Sequence, residues 1–271
     1  MSMFSERYGY TEKTIQLESM TPELRNRIWN IYVAEIDLQY PQQITNYLEE
    51  IMDVFGLPCT GYNGLIDDDL VTFCKWFMKT EWYRIYDFIE AYLRFLPSED
   101  RKNVRDNLNS ILKEENAGYR IIMNQVVPIT NPSELSSIEK AEQTKFSSVN
   151  THIQKAVELF SRRPSPDYEN SIKESISAVE AMCNIITGAT GANATLGKTI
   201  KKLKDYGVHI HPAMESAYSS LYGYASDENG IRHGGIDFTN APAEDAKYML
   251  VSCSAFVNYL IEKWSQVNPS K

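Results

Sequence analysis

Apolar residues recur every three or four positions over most of this chain, the period of helices that bury one face. Leu24, Ile28, Ile31 and Leu38 begin the pattern behind Thr21-Pro22, an N-cap followed by proline at the first helical position. Ile44, Tyr47, Leu48 and Ile51 repeat it, and Gly56 is suited to end it in a left-handed cap. Asp67, Asp68 and Asp69 open the next helix, where negative charge suits the dipole. The stretch WFMKTEWYRIYDFIEAYLRFL, residues 76–96, sets Ile85, Phe88, Ile89, Tyr92 and Phe95 in one stripe that reads as core. Pro97-Ser98 breaks it, and Val104, Leu108, Ile111 and Leu112 mark a fifth helix.

One segment departs from this period. In YRIIMNQVVPIT, β-branched residues flank a short polar turn at Asn124 and Gln125, and Pro128 confines the second strand to an edge. The spacing predicts a small hairpin near 119–130, pairing Tyr119–Ile122 with Val126–Thr130. Asn131-Pro132 then restarts a helix, which Ile138, Val149, Ile153, Ala156, Val157 and Phe160 carry, either unbroken or with one break, to Arg162-Arg163-Pro164. RRPSP, with two prolines within three residues, reads as a domain boundary. Beyond it come four amphipathic segments. Ile172, Ile176, Val179, Cys183 and Ile186 define the first; Leu196, Ile200 and Leu203 the second, capped by Thr195. Met214, Ala217, Tyr218 and Leu221 define the third, and Ala246 through Trp264 the fourth. The expected architecture is all-α with one small hairpin: a helical domain over residues 1–162 and a four-helix bundle over 163–271.

Charge adds a distinction between the halves. The 271 residues carry 27 basic and 36 acidic side chains, net −9, which excludes a uniformly basic nucleic-acid coat. Residues 1–162 hold 17 basic and 24 acidic residues, whereas 163–271 hold 10 and 12, so the second half is better suited to meet a polyanion. Cys59, Cys74, Cys183 and Cys253 form no C-x-x-C pair, and the four histidines complete no zinc spacing, so buried reduced thiols and no metal site are expected. The absence of an 18-residue apolar run and of a basic-then-apolar leader predicts a cytoplasmic protein with no membrane partner.

Two places could carry chemistry. In GKTIKKLK, Lys198, Lys201, Lys202 and Lys204 lie on one polar side opposite Leu196, Ile200 and Leu203, either a solvated face or a phosphate-contacting strip. GANATLGKT does not match the phosphate-binding loop of nucleotide hydrolases, whose first glycine would fall on Ala192. The loop SDENGIRHGGIDF places Asp227, Glu228, Arg232 and His233 together among glycines. A guanidinium fork can hold a phosphate and an imidazole can move a proton, whereas the simpler reading is a polar interhelix loop.

DYENSIKESISAVEAMCNIITG, TLGKTIKKL, IHPAMESAYSSLYGYASDENGIRHGG and the last helix together resemble a HEPN domain, the all-α domain of many prokaryotic RNases and phage-defence proteins. FSERYGY and LKEENAGYRIIMNQVVPITNPSE resemble the N-terminal domain of AbiJ-type abortive-infection proteins. The resemblance implies a phage-defence effector with RNA-binding or metal-independent RNase activity, needing no cofactor, acting on tRNA or mRNA and pairing as a homodimer through the HEPN half. It assigns Arg232 and His233 to catalysis and matches Glu180 to an acidic position on the family's first helix; Lys198, Lys201 and Lys202 stand beside it as candidate nucleic-acid contacts and Asp227 as a second candidate supporting acid. The family motif ends in a histidine separated from its arginine by four to six intervening residues; here those places hold Asp237, Phe238 and Thr239. A non-catalytic HEPN module for dimerisation or sensing is therefore the alternative.

Overall fold

The computed structural model describes residues 15–38, 41–59, 66–162, 165–226 and 241–268, with Phe4 and Tyr8. Eleven α-helices and one two-stranded hairpin lie among these residues. Compact packing divides the chain into two units, Met1–Thr130 and Asn131–Lys271.

The first unit holds α1 (Pro22–Leu38), α2 (Pro41–Val54), α3 (Ile66–Lys79), α4 (Trp82–Phe95), α5 (Ser98–Glu114), β1 (Arg120–Ile122) and β2 (Gln125–Val127). Thr21 starts α1 as its spacing predicts: its Oγ1 accepts the Leu24 N–H at 3.3 Å. Gly56 takes φ +64° just past α2. The core centres on Tyr32, which meets the rings of Trp29, Phe73, Phe88 and Tyr92 at centroid distances of 5.2–5.6 Å. Most of these ring pairs are tilted or edge-to-face, geometries that aromatic quadrupoles favour. The stripe read from α4 is buried at Ile85, Phe88, Ile89 and Tyr92, with Phe95 packed against the core from its edge.

The hairpin forms one residue earlier than its sequence suggests. Arg120 pairs with Val127, Ile121 with Val126 and Ile122 with Gln125. The turn therefore falls on Met123 and Asn124, with Met123 at φ +56°, as two-residue hairpin turns of the right twist require. Pro128 ends the second strand after Val127. The start of the described chain returns to this region. Gln16 N donates to Asn116 O at 3.0 Å and Gly118 N to Gln16 O at 2.8 Å. The Gln16 side chain donates to Glu115 O and accepts from Thr21 N.

The second unit holds α6 (Pro132–Glu142), α7 (Ser147–Ser161), α8 (Tyr168–Thr187), a 3-10 turn (Gly191–Asn193), α9 (Leu196–Thr199) running directly into a 3-10 helix (Ile200–Tyr206), α10 (Pro212–Ser226) and α11 (Ala243–Val267). Helix α8 is the central post, packed by α7, by α11 and by the 3-10 helix. The units part at Thr130, with α6 and α7 grouped with the helices that follow. The reason is packing: α7 buries Val149, Ile153, Ala156, Val157 and Phe160, and buried Ser171 of α8 donates its hydroxyl to Ala156 O at 2.7 Å. Helix α6 is tied to α11 by Asn258 Nδ2 donating to Ser137 O at 2.9 Å. The chain around Pro166 thus connects two packed antiparallel helices.

Caps bound these helices. Asn131 Oδ1 accepts from Ser133 N with Pro132 at the first position of α6. Asp167 Oδ1 accepts from Asn170 N at the start of α8, and Gly188 (φ +66°) closes it. Cys183 and Cys253 are buried as expected; Cys59, just beyond Leu57-Pro58, is exposed instead.

Candidate nucleic-acid interface

The lysine strip is mounted on α8 by two side chains. Glu180 Oε2 accepts the Leu196 N–H at 3.0 Å, and Asn184 Nδ2 donates to Ala194 O at 3.0 Å. These bonds fix the segment from Ala194 to Leu196 and hence the direction in which the following helix leaves. Thr195, expected as the cap, makes no side-chain capping bond. Glu180 of α8 instead accepts the first helical N–H, that of Leu196, and puts negative charge at a helix N-terminus. The structure thus gives Glu180 a bonded, positioning place at the strip.

Leu196, Thr199, Ile200 and Leu203 turn inward against α8. Lys198, Lys201, Lys202 and Lys204 are all exposed. Lys198 Nζ donates to Ala192 O at 2.8 Å, bracing the loop before it. Lys201, Lys202 and Lys204 have no ion-pair partner among the described residues. Gly207, at φ +81°, ends the strip, its N–H donating to Lys204 O. A left-handed residue there permits the sharp stop that sequence spacing anticipates.

Arg232, His233, Asp227 and Glu228 lie outside the described residues, as does all of 227–240. The helices flanking that segment are described. Tyr224 near the end of α10 donates its hydroxyl to Asp245 Oδ2 in the first turn of α11 at 2.8 Å. Burial and that carboxylate push the phenol up to about 12. Below it, Tyr218 stacks on Phe256 and donates to Ser252 O at 3.4 Å.

The described thiols of this unit are not poised as nucleophiles. Burial, with Glu180 nearby, pushes Cys183 up to about 12, and burial alone does the same for Cys253. A thiol so raised is almost wholly protonated at neutral pH. Among the described residues no group of three His, Cys, Asp or Glu side chains is arranged to hold a metal ion. No described helix is long and apolar enough to cross a membrane. Sequence spacing gives no signal for Asn184, whose contact is with a carbonyl ten residues away.

No curated protein and no solved structure gives a significant match to the chain. The family model described as AbiJ N-terminal domain 4 matches residues 2–144, just over half of the chain, which covers the aromatic first unit, its hairpin and α6. On that match, the chain belongs to the AbiJ N-terminal domain 4 family.

Proposed function

We propose that this chain is a cytoplasmic abortive-infection effector whose second unit, a HEPN-type bundle, binds RNA and cleaves it without a metal. The observation that carries this reading is a family match to an AbiJ N-terminal domain in a chain whose second unit presents exposed lysines, of which Lys201, Lys202 and Lys204 have no ion-pair partner among the described residues. In this reading the exposed lysines of the strip, Lys201 among them, draw the phosphodiester backbone to the bundle. Arg232 holds the scissile phosphate through its guanidinium fork. His233 takes the proton of the ribose 2′-OH as its oxygen attacks phosphorus, the P–O5′ bond breaks, and the 5′-oxygen leaves with a proton from water, giving a 2′,3′-cyclic phosphate and a 5′-hydroxyl. Asp227 and Glu180 support from the acidic side, Glu180 by holding the strip in place. Two copies pair through their HEPN halves, bringing two such loops to one cleft.

A second reading is favoured by one observation. The places where the family motif ends in histidine hold Asp237, Phe238 and Thr239, which leaves a single imidazole in the loop. In that reading the bundle binds RNA or a second copy and cleaves nothing. The test is digestion of tRNA and total RNA in excess chelator, comparing the natural chain with the double variant Arg232→Ala/His233→Ala. Cleavage that the variant loses supports the enzyme; RNA binding without cleavage supports the module; neither activity overturns both.

A further inference from the structure

The strip changes helix type along its length. Leu196–Thr199 is α-helical, and Ile200–Tyr206 is a seven-residue 3-10 helix, longer than the three or four residues at which such helices usually stop. Three residues per turn place positions i and i+3 directly above one another, about 6 Å apart at roughly 2 Å rise per residue. Three rows follow. Ile200 and Leu203 form the buried row, and Tyr206 ends it with its residue 47% exposed. Lys201 and Lys204 form a second row. Lys202 shares the third with Asp205.

The rows differ in what they can bind. Lys201 and Lys204 are aligned, exposed and unpaired among the described residues, so two ammonium groups lie in line with the helix axis. Lys202 has a carboxylate one turn away in its own row, which cancels much of its field. Lys198 is committed to Ala192 O. Tyr206 stands at the end of the strip with an accessible ring, immediately before Gly207 turns the chain away. The mount is stiff, since Glu180 and Asn184 fix its start and the two residues Ile200 and Leu203 anchor its underside.

We propose that this 3-10 helix is a docking edge for single-stranded RNA, in which Lys201 and Lys204 hold neighbouring phosphates and Tyr206 stacks on an unpaired base. The inference rests on the RNA-binding reading above and deepens it. Neighbouring phosphates of an extended strand present charges in a line, as the lysine row does. A base offers its face to a side chain only when unpaired, because in a duplex both faces are covered by neighbouring pairs. The combination of a cationic row with an exposed aromatic at its end therefore favours a strand over a duplex.

The experiment measures fluorescence anisotropy of a labelled oligouridine of roughly 12 nucleotides, within the usual range of single-strand site sizes, against an RNA duplex of equal length, over a salt series without metal. The natural chain is expected to bind the strand more tightly than the duplex. Tyr206→Leu is expected to weaken strand binding by about 5–150-fold, the equivalent of one base stack, and to leave duplex binding unchanged. Tyr206→Phe keeps the ring and should keep the affinity. Lys201→Gln and Lys204→Gln should each flatten the slope of log affinity against log salt by roughly 0.7, and Lys202→Gln by clearly less. All these positions are exposed, so circular dichroism should be unchanged. If the strand binds but Tyr206→Leu and Lys204→Gln leave affinity and slope unaltered, this edge is overturned and RNA binding lies elsewhere. If the natural chain binds neither RNA, the underlying reading falls with it.

Discussion

Asn109 in α5 makes two hydrogen bonds to one residue of the hairpin: its Nδ2 donates to Ile121 O and its Oδ1 accepts from Ile121 N, both at 2.8 Å. A side-chain amide thereby completes the outer edge of β1 as a neighbouring strand would. On the opposite edge, Glu90 accepts the Val126 N–H at 2.8 Å. A two-stranded hairpin is marginal alone and its open edges invite wrong pairing. Here both edges are closed by side chains from helices.

Asn109→Ala is accordingly expected to destabilise the first unit. Ile121 is fully buried, so its freed N–H and C=O each carry a penalty of about 1–3 kcal/mol. Denaturant unfolding should show a total loss of roughly 2–6 kcal/mol, and Asn109→Asp, which keeps the acceptor and loses the donor, should fall between. A loss below about 0.5 kcal/mol in the alanine variant would show that the bonds to Ile121 are replaced by water.

Glu90 provides a test in pH. Its carboxyl is raised above its ordinary value of 4.5, chiefly by burial and in part by Asp87, against the opposing pull of the Val126 N–H and Arg94. A carboxyl raised by folding stabilises the folded state in its protonated form. That contribution is present below about 4.5 and is lost as pH rises through the raised value. Glu90→Gln, which can still accept from Val126, should remove this loss. Thermal unfolding between pH 4 and 8 is expected to find the variant no less stable than the natural chain near neutrality, with its advantage shrinking toward the acid end.

Gly118 is required by close approach. A Cβ added there would stand 2.6 Å from Leu17 Cδ2 and 2.9 Å from Gln16 O. The Leu17 side-chain end can move; the Gln16 carbonyl is held by the Gly118 N–H itself. Gly118→Ala should therefore cost about 1–3 kcal/mol through overpacking. Adding Leu17→Ala should recover only part of it, as differential scanning calorimetry of the single and double variants can determine.

At the lysine strip, Glu180 can be separated into acceptor and charge. Glu180→Gln keeps an oxygen for the Leu196 N–H, and Glu180→Ala removes it. The alanine variant is expected to lose about 1 kcal/mol, the usual worth of a helix cap, together with strand affinity. The glutamine variant should retain most of both. Equal loss in the two variants would assign Glu180 a role through its charge instead of its bond.

The helical period made the main apolar stripes legible, because residues such as Ile85, Phe88 and Ile89 are apolar where one face must be buried. The hairpin was legible too, but its turn was placed a residue late: Met123 carries the positive φ, and methionine has no local preference that signals it. Thr195 has the residue type of a cap, yet its side chain makes no capping bond, and the first helical N–H, that of Leu196, is held by a carboxylate sixteen residues earlier. The 3-10 helix was hidden for a different reason. Ile200 and Leu203 are three apart, a spacing that both helix types satisfy, so the apolar pattern cannot tell which rows the lysines occupy. RRPSP reads as a break between domains because proline stops a helix, but a helical hairpin needs the same stop.

The bonding of Gln16 has a consequence for the order in which the first unit assembles. Its side chain reaches Glu115 O, 99 residues away in sequence, and its backbone is flanked on both sides by Asn116 and Gly118. Such a contact closes nearly the whole unit into one loop, whose entropy cost is met only once the intervening helices have condensed. During synthesis this segment leaves the ribosome before residues 115–118 and must wait for them to emerge. It is thus the last piece to dock, and its docking reports that the unit behind it is complete.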